Sequence, residues 1–182
     1  MNIIETGFEG LYILKPKIFS DRRGYFFESY RLETFLKAGI PFHPVQDNES
    51  KSSGGVIRGL HYQLEPSAQA KLIRVVAGKI YDVAVDLRKN SKTYGRWFGI
   101  ELDSENKTQF FIPKGFAHGF SVLSETAVIQ YKCDNLYNPQ LERGISISDP
   151  FLGIDWNLGD TEPTISEKDL KHPGFLDAEK NF

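Results

Sequence analysis

His61 and Lys71 are the residues whose types and spacing most directly suggest chemistry. His61 lies in a segment typical of a strand, and Lys71 opens the next one, with Ile73 and Val75 at alternate positions after it. Side chains two residues apart share one face of a strand, so both residues could line one barrel interior. An imidazole can take a proton from a carbon beside a carbonyl group, and an ammonium can stabilise the enolate oxygen that forms. The pair therefore predicts proton abstraction.

The residues around this pair follow a familiar order. Gly55 precedes His61 by six residues, Gly78 follows Lys71 by seven, and a second segment, Pro113–His118, reads Pro-Lys-Gly-Phe-Ala-His. Both segments resemble the two conserved boxes of the cupin superfamily, which implies a jelly-roll β-barrel with His61 and the final His of the second box inside it. A lone His in a strand is more often structural than catalytic, but the match to both boxes outweighs that reading.

Three positions depart from the metal-binding form of these boxes. Metal-binding cupins hold an ion with two His and a Glu of the first box and one His of the second. Here Gln63 occupies the second His position, Lys71 occupies the Glu position, and Val122 stands where the second box ends in Asn. Because a divalent ion prefers imidazole and carboxylate ligands and an ammonium repels it, a metal-free site is expected. Gln63 and Lys71 both count against the rival reading, a metal-dependent isomerase or oxygenase.

The composition indicates one globular, β-rich domain over residues 1–182. Hydrophobic residues make up 40% of the chain and charged residues 25%, which excludes a disordered protein. The content of 14 Phe, 8 Tyr and 16 Gly favours strands joined by many turns. The net charge of -2 does not suggest nucleic-acid binding, so an anionic substrate would have to be met by local basic groups.

The sequence also favours a soluble cytoplasmic protein. The single Cys133 cannot form an intrachain disulfide, which fits a reducing compartment. The segment Met1–Glu5 lacks the basic and apolar order of a signal peptide, and no apolar run approaches the roughly 20 residues that span a bilayer. No membrane partner is expected.

Turn signals predict an all-β chain of short strands. Leu11–Ile18 contains a proline and is typical of an edge strand, which is expected to pair with Tyr25–Tyr30 in an N-terminal β-hairpin. Arg31–Ala38 is the best helix candidate, with Gly39 as its C-terminal cap. The tail from about residue 150 is irregular, with a short helix near Ser166–Leu170 that its first Ser could cap. A barrel or sandwich is indicated by further strands at residues 56–64, 71–76, 80–87, 97–102, 110–112, 120–123, 127–133 and 144–147.

Tyr131 and Asp169 are further candidates whose ordinary roles are structural. A Tyr in a strand usually packs with its hydroxyl near water, but inside a barrel Tyr131 could give a proton from the face opposite His61. Epimerisation by deprotonation and reprotonation requires two such groups on opposite faces. A carboxylate such as Asp169 can fix the tautomer of a catalytic imidazole, although sequence alone does not place it beside His61.

Arg23, Arg58 and Lys71 could bind a diphosphate, since Arg recognises phosphate through two parallel hydrogen bonds. Strict alternation places Arg58 on the strand face opposite His61. Two readings would remove this conflict. Gly59 could mark a bulge that breaks the alternation, or Arg58 could reach a site shared with a neighbouring subunit.

Beyond the superfamily, the chain resembles the dTDP-4-dehydrorhamnose 3,5-epimerase family over about residues 11–169. The segments that carry the resemblance are Phe19–Ser29, Val45–Asn48, Arg58–Gln63, Ala70–Arg74, Asp82–Arg88, Pro113–Phe120, Gln130–Lys132 and Ser166–Asp169. The resemblance implies that His61 is the general base with Asp169 as its partner, and that Tyr131 is the general acid. It also implies that Lys71 holds the O4 enolate with help from His118.

The same resemblance implies the substrate and the assembly. The substrate would be dTDP-4-dehydro-6-deoxy-D-glucose, inverted at C3 and C5 without a cofactor to give dTDP-4-dehydro-L-rhamnose, with Tyr137 stacked on the thymine ring. Family members are homodimers that exchange N-terminal strands, so some residues could serve the partner's site. A single-site epimerase of a related sugar nucleotide and a sugar-nucleotide-binding cupin without activity stay open as alternatives. The residues implied to bind the nucleotide-sugar are Arg23, Glu28, Gln46, Asn48, Arg58, Lys71, His118, Tyr137, Glu142 and Lys168.

Overall fold

Strands form nearly all of the regular structure. The computed structural model covers residues 1–182 and contains one α-helix, α1 (Leu32–Lys37), and one 3-10 turn at Asp169–Lys171. The strands along the chain are β1 (Asn2–Glu5), β2 (Tyr12–Lys15), β3 (Ile18–Asp21), β4 (Gly24–Phe27), β5 (Gln46–Ser53), β6 (Ile57–Gln63), β7 (Lys71–Ala77), β8 (Lys79–Asp86), β9 (Trp97–Asp103), β10 (Gln109–Ile112), β11 (Phe116–Val122), β12 (Thr126–Cys133) and β13 (Glu142–Gly144). The all-β architecture with short peripheral helices is confirmed.

Two antiparallel sheets enclose the barrel, and one hairpin stands apart from them. The six-stranded sheet has the order β1-β2-β10-β7-β12-β5, and the five-stranded sheet has the order β13-β6-β11-β8-β9. Strands that are distant in sequence lie side by side, as β6 does with β11 and β7 with β12, which is the connectivity of a jelly roll. The fold is the cupin-type jelly-roll β-barrel that the two sequence boxes implied.

Three apolar clusters hold the layers together. One fills the barrel between the sheets and includes the buried Ile73, Phe110 and Phe120. A second lies outside the five-stranded sheet, where the tail covers it with Trp156 and Phe175. A third lies outside the six-stranded sheet beneath α1. Full burial of one large apolar side chain contributes about 1.5–3 kcal/mol, so the irregular tail is an integral part of the fold.

The N-terminal segment pairs differently from the prediction. β2, inside the predicted strand Leu11–Ile18, lies between β1 and β10, so it is not an edge strand of its sheet. The hairpin consists instead of β3 and β4. Pro16 accounts for the difference, because proline lacks the amide proton that a continued strand would donate, and β2 ends directly before it.

The helical predictions agree more closely with the structure. α1 lies within the predicted Arg31–Ala38, and Gly39 follows it with a φ of 74°, the left-handed conformation of a C-terminal cap. The tail helix is a 3-10 turn in which the Asp169 amide donates to the Ser166 hydroxyl (3.1 Å). None of the helices has the length and apolar character needed to cross a lipid bilayer.

Candidate active site

Two neighbouring strands place His61 and His118 side by side on the inner face of the barrel. The two residues are direct partners in the register of β6 and β11, so their side chains point to the same side of the sheet. The next pair in this register is Arg58 with Phe120, so β6 carries one residue more than β11 between the two pairs. This extra residue is a bulge, and it turns Arg58 to the same barrel face as His61.

Gly59 lies in this bulge with a φ of 143°, a conformation that favours glycine. A β-carbon at this position would lie 2.6 Å from the α-carbon of Gly119 on β11. The Arg58 side chain extends from the five-stranded sheet towards β5 of the other sheet, where its Nε donates to Ser52 Oγ (2.9 Å). Of the two readings of Arg58, the bulge at Gly59 is the one that the structure shows.

Asp169 contacts His61 directly. The Nε2 atom of His61 lies 2.8 Å from Oδ1 of Asp169, and the Gly59 amide donates to Oδ2 (3.4 Å). Burial alone would raise the pKa of Asp169, but the hydrogen bonds from His61 and Gly59 hold this pKa below its usual value. Because Nε2 is hydrogen-bonded to the carboxylate, the lone pair of a neutral His61 is on Nδ1. The imidazole is thus held in the tautomer that a base requires.

A second His–Asp pair lies beside the first. His118 Nε2 is 2.9 Å from Oδ1 of Asp82 on β8, and Oδ2 of Asp82 has no hydrogen-bond partner. Burial raises the pKa of Asp82, while His118 and Lys71 oppose that rise. The sequence interpretation did not identify Asp82 as a site residue. The available signal was a carboxylate at the centre of a strand whose other central residues, Ile80 to Val85, are apolar or aromatic.

Lys71 and Tyr131 lie on the inner face of the six-stranded sheet. Lys71 pairs with Cys133 and Ile73 pairs with Tyr131 in the register of β7 and β12, so alternation turns all four side chains to one face. Burial lowers the pKa of Lys71 and raises that of Tyr131. Burial also raises the pKa of the Cys133 thiol to about 11, which leaves a neutral thiol beside the Lys71 amine. The register of β7 and β12 therefore turns the Lys71 amine towards the barrel interior, where it lines a cleft.

These side chains line a cleft of 250 Å³ at one end of the barrel. A larger and more open surface groove of 530 Å³, beside Lys79 and Glu101, contains no His and no buried carboxylate. The residues that could carry out proton transfer therefore identify the smaller cleft as the candidate active site. The residues that line it are His61, Lys71, Tyr131, Gln46, Asn48, Tyr137, Glu142, Tyr62, Gln63 and Gln69.

Two glutamines hold the loop that carries Tyr137. Gln63 Nε2 donates to two backbone carbonyls (2.6 and 3.2 Å), and its Oε1 accepts from the Asn138 amide (2.7 Å). Gln46 Oε1 accepts from the amide of Tyr137 itself (2.9 Å). Gln63 stands at a metal-ligand position of the cupin box. Here both polar atoms of its amide bond to backbone groups and fix the loop at the rim of the cleft.

Glu142 connects Tyr137 and Lys168 at the same rim. Its Oε2 accepts from the Tyr137 hydroxyl (2.8 Å) and from Lys168 Nζ (2.5 Å). Burial would raise the pKa of Glu142, and these two hydrogen bonds hold this pKa below its usual value. An aromatic ring, a carboxylate and an ammonium therefore lie side by side where the cleft opens.

Arg23 and Glu28 are the two predicted binding residues that do not reach this cleft within one chain. Arg23 Nη2 pairs with Asp21 (2.6 Å) on the β3–β4 hairpin, and Glu28 pairs with Arg31 (2.6 Å). Both pairs are exposed to solvent. The other predicted residues lie in the cleft, at its rim or in the His–Asp pairs beside it, except Arg58, whose guanidinium contacts Ser52 and whose charge acts on Tyr131.

Comparisons with known proteins agree with this geometry. A family model described as dTDP-4-dehydrorhamnose 3,5-epimerase matches residues 5–177. A relative of that name from Shigella flexneri is 50% identical over 180 residues, which are 98% of each chain. The crystal structure of an enzyme of that name from Elizabethkingia anophelis has a TM-score of 0.94 and 50% identity over 97% of each chain.

A further crystal structure contains a ligand. It is that of dTDP-6-deoxy-D-glucose-3,5-epimerase from Legionella pneumophila in complex with dTDP-4-keto-L-rhamnose. Its TM-score is 0.92 at 48% identity, and the match covers 97% of this chain and 93% of that one. Sequence, fold and cleft lead to one assignment: the chain belongs to the dTDP-4-dehydrorhamnose 3,5-epimerase family.

Proposed function

We propose that this protein is an isomerase that inverts C3 and C5 of dTDP-4-dehydro-6-deoxy-D-glucose to give dTDP-4-dehydro-L-rhamnose. The observation that carries the proposal is the His61–Asp169 pair, 2.8 Å apart, at a cleft that also contains Lys71 and Tyr131. The likeness to the Legionella pneumophila enzyme, whose structure contains a 4-keto sugar nucleotide, supports the same substrate class.

His61 acts as the general base. Asp169 accepts the Nε2 proton, so Nδ1 is free to take a proton from C3 or C5. The imidazolium that forms is stabilised by the same carboxylate, whose pKa lies below its usual value and which therefore stays ionised. Because the C4 ketone acidifies both neighbouring carbons, one base can serve both, and the reaction requires no cofactor.

Lys71 and His118 stabilise the enolate. Deprotonation moves the electron pair of the C–H bond towards O4, and a positive charge near this oxygen lowers the barrier. Lys71 faces the cavity from the sheet opposite His61, and His118 is fixed by Asp82 beside it. Low dielectric around these groups strengthens their effect on the developing charge.

Tyr131 returns the proton from the other face of the sugar. It lines the same cleft as His61 but belongs to the opposite sheet. Burial raises the pKa of its phenol, so the hydroxyl holds its proton at neutral pH and can donate it to the enolate carbon. A base and an acid on opposite faces are what inversion needs.

The rim of the cleft binds the nucleotide. Tyr137 offers an exposed ring for stacking on the base. Arg58, which extends towards β5, and Lys168, which is paired with Glu142, offer positive charge to the diphosphate. Glu142, Gln46 and Asn48 supply hydrogen-bonding groups. Gln46 contacts Asn48 and the Tyr137 amide, and Glu142 accepts from the Tyr137 hydroxyl.

The protein acts as a homodimer with exchanged N-terminal strands. The β3–β4 hairpin exposes Phe19, Tyr25 and Phe26, and β5 presents an unpaired edge of eight residues. A partner's hairpin that covers this edge would carry Arg23 and Glu28 towards the cleft. We place the dimer in the cytoplasm, where the free thiol of Cys133 is stable. Sedimentation of the purified protein tests the dimer, which a monomer at micromolar concentration would contradict.

The experiment that tests the reaction is incubation of purified protein with dTDP-4-dehydro-6-deoxy-D-glucose in heavy water, followed by proton NMR. We expect loss of the C3 and C5 proton signals and appearance of the L-rhamno product. Exchange at only one carbon would support the single-site alternative. No exchange at either carbon would support a binding protein without activity.

A further inference from the structure

His172 lies against the catalytic pair without belonging to it. It directly follows the 3-10 turn that carries Asp169, and its amide donates to the Asp169 carbonyl (3.4 Å). Three residues make one turn of this helix type, so the two side chains emerge on the same side. The imidazole rings of His172 and His61 meet edge to face, with centroids 5.5 Å apart at an angle of 70°.

Gly144 makes room for this ring. It is the partner of His61 in the register of β13 and β6, and a β-carbon on it would lie only 1.7 Å from Nδ1 of His172. Any side chain at position 144 would therefore displace the imidazole. The backbone is built so that a second His can occupy the place beside His61.

One nitrogen of His172 is left to take a ligand. Nδ1 is buried against Gly144 and has no hydrogen-bond partner. Nε2 is not among the ring atoms that lie nearest to Gly144, so it is the nitrogen that can bind a metal ion.

The three side chains form a cluster of possible metal donors. One donor atom each from His61, Asp169 and His172 lies within 4.8 Å of the other two. A tetrahedral zinc ion with bonds of about 2.0–2.1 Å needs donors about 3.3 Å apart, so modest rotations of the side chains would complete the set. Two imidazoles and one carboxylate form a zinc-binding set that leaves a fourth position for water.

We propose that His61, Asp169 and His172 form an inhibitory binding site for Zn²⁺. This set differs from the cupin metal site, which would use the positions of Gln63 and Lys71 instead. Coordination through His61 Nε2 replaces its hydrogen bond to Asp169. The Nε2 proton then moves to Nδ1, so the ring stays neutral and Nδ1 can no longer accept a proton from carbon. A bound zinc ion would therefore switch off the base.

The first test is metal binding, which needs no activity and so stands even if the proposed function fails. Purified protein is titrated with Co²⁺ as a spectroscopic substitute for Zn²⁺, and then with Zn²⁺ as competitor. We expect the visible absorption of tetrahedral Co²⁺ at one ion per chain, lost on addition of Zn²⁺. His172→Phe keeps a ring against Gly144 but removes the donor, and should weaken binding at least tenfold. Binding equal to that of the unaltered protein would overturn the site.

The second test measures inhibition, which rests on the proposed function. Zn²⁺ should inhibit isotope exchange in the unaltered protein, and EDTA should restore it. His172→Phe and His172→Ala should keep exchange without metal and lose at least tenfold in sensitivity to Zn²⁺. The matched control is His43→Phe, since His43 is exposed and remote from the cluster in sequence. Equal inhibition of all these variants would overturn the assignment of His172.

Discussion

Two His–Asp pairs lie side by side in this protein. Their hydrogen bonds are nearly the same length, but their exposure and their surroundings differ. His61 and Asp169 are 2.8 Å apart, and His118 and Asp82 are 2.9 Å apart. Both imidazoles use Nε2 for this contact, and the two His residues are direct partners across β6 and β11. The distance between imidazole and carboxylate therefore does not distinguish a base from a fixed hydrogen-bonding group.

The surroundings make the distinction. The His61 side chain is 30% exposed and that of His118 is 10% exposed, so only His61 opens widely to the cleft. Additional hydrogen bonds lower the pKa of Asp169, whereas burial raises that of Asp82, whose Oδ2 has no partner. Access to substrate and a stably ionised carboxylate suit the first pair to proton transfer. The second pair is suited to keeping the His118 ring in a fixed position near Lys71.

The largest expected effect comes from removing the two imidazoles separately. We expect His61→Ala to lower isotope exchange at both C3 and C5 by about 10³–10⁴-fold, since it removes the base. His118→Ala should lower exchange by about 10²-fold, as loss of one donor to an oxyanion does. Exchange rates are read by NMR in heavy water, with circular dichroism as the control for folding. Equal losses would remove the proposed division of roles.

Tyr131→Phe tests the proposed acid, which lies on the opposite wall of the cleft from the two His–Asp pairs. The variant keeps both His–Asp pairs, so exchange should continue, but product of the correct configuration should fall by about 10²-fold for want of the acid. Comparison of deuterium incorporation with product formation in one NMR sample measures both. Unchanged product formation would show that another group returns the proton.

Asparagine substitutions of the two carboxylates should also separate the pairs. Asp169→Asn leaves the geometry but loses control of the His61 tautomer, and we expect turnover to fall by about 10²-fold or more. Asp82→Asn affects only a fixed donor, and the fall should be less than about tenfold. A greater loss from Asp82→Asn than from Asp169→Asn would reverse the assignment.

Gln63→Leu should have a smaller effect, because Gln63 acts on the rim and not on either pair. Loss of its hydrogen bonds to the Tyr137 loop should raise KM about fivefold, with kcat nearly unchanged. Gln140→Leu is the control, since Gln140 is exposed on the same loop region. Steady-state kinetics separate the two constants. A fall in kcat without a rise in KM would place Gln63 in the chemistry instead.

The smallest effect is on the pH dependence of stability. Asp169 and Asp82 should change the free energy of unfolding in opposite directions as the pH rises. The lowered pKa of Asp169 means that its stabilisation is complete above its unfolded pKa of about 3.9 and is lost as pH falls further. The raised pKa of Asp82 means that its ionisation disfavours the fold as pH rises above about 3.9. The measurement is urea unfolding from pH 3 upwards. In Asp169→Asn the free energy of unfolding should fall less as the pH is lowered than it does in the unaltered protein. In Asp82→Asn it should decline less as the pH is raised. Identical profiles would contradict this.

The inner face of β7 could be predicted from sequence because alternation is local, whereas the jelly-roll barrel was implied by the resemblance to the two cupin boxes. Alternation along β7 placed Lys71 with Ile73 and Val75, and the structure has the same arrangement. The contact of Asp169 with His61 joins residues more than a hundred positions apart, and the irregular tail that carries Asp169 has no periodicity from which its position could be predicted. The family resemblance supplied that contact, and local pattern could not.

Other features depended on tertiary pairing. Arg58 faces inward only because β6 carries one residue more than β11, and strict alternation had indicated the reverse. The pairing of β2 with β10 replaced the predicted hairpin, since Phe111 and its neighbours offer a partner far along the chain. Asp82 was missed as the partner of His118 because nothing in either local segment specifies the other.

The amide of Gln63 also limits how this barrel could change. A His in its place would supply a cupin-type ligand, but a ring cannot both donate to two carbonyls and accept from the Asn138 amide. The substitution Gln63→His would therefore loosen the loop that carries Tyr137. A cupin-type ion site would also need a carboxylate in place of Lys71, so at least two substitutions separate this barrel from a metal-binding one.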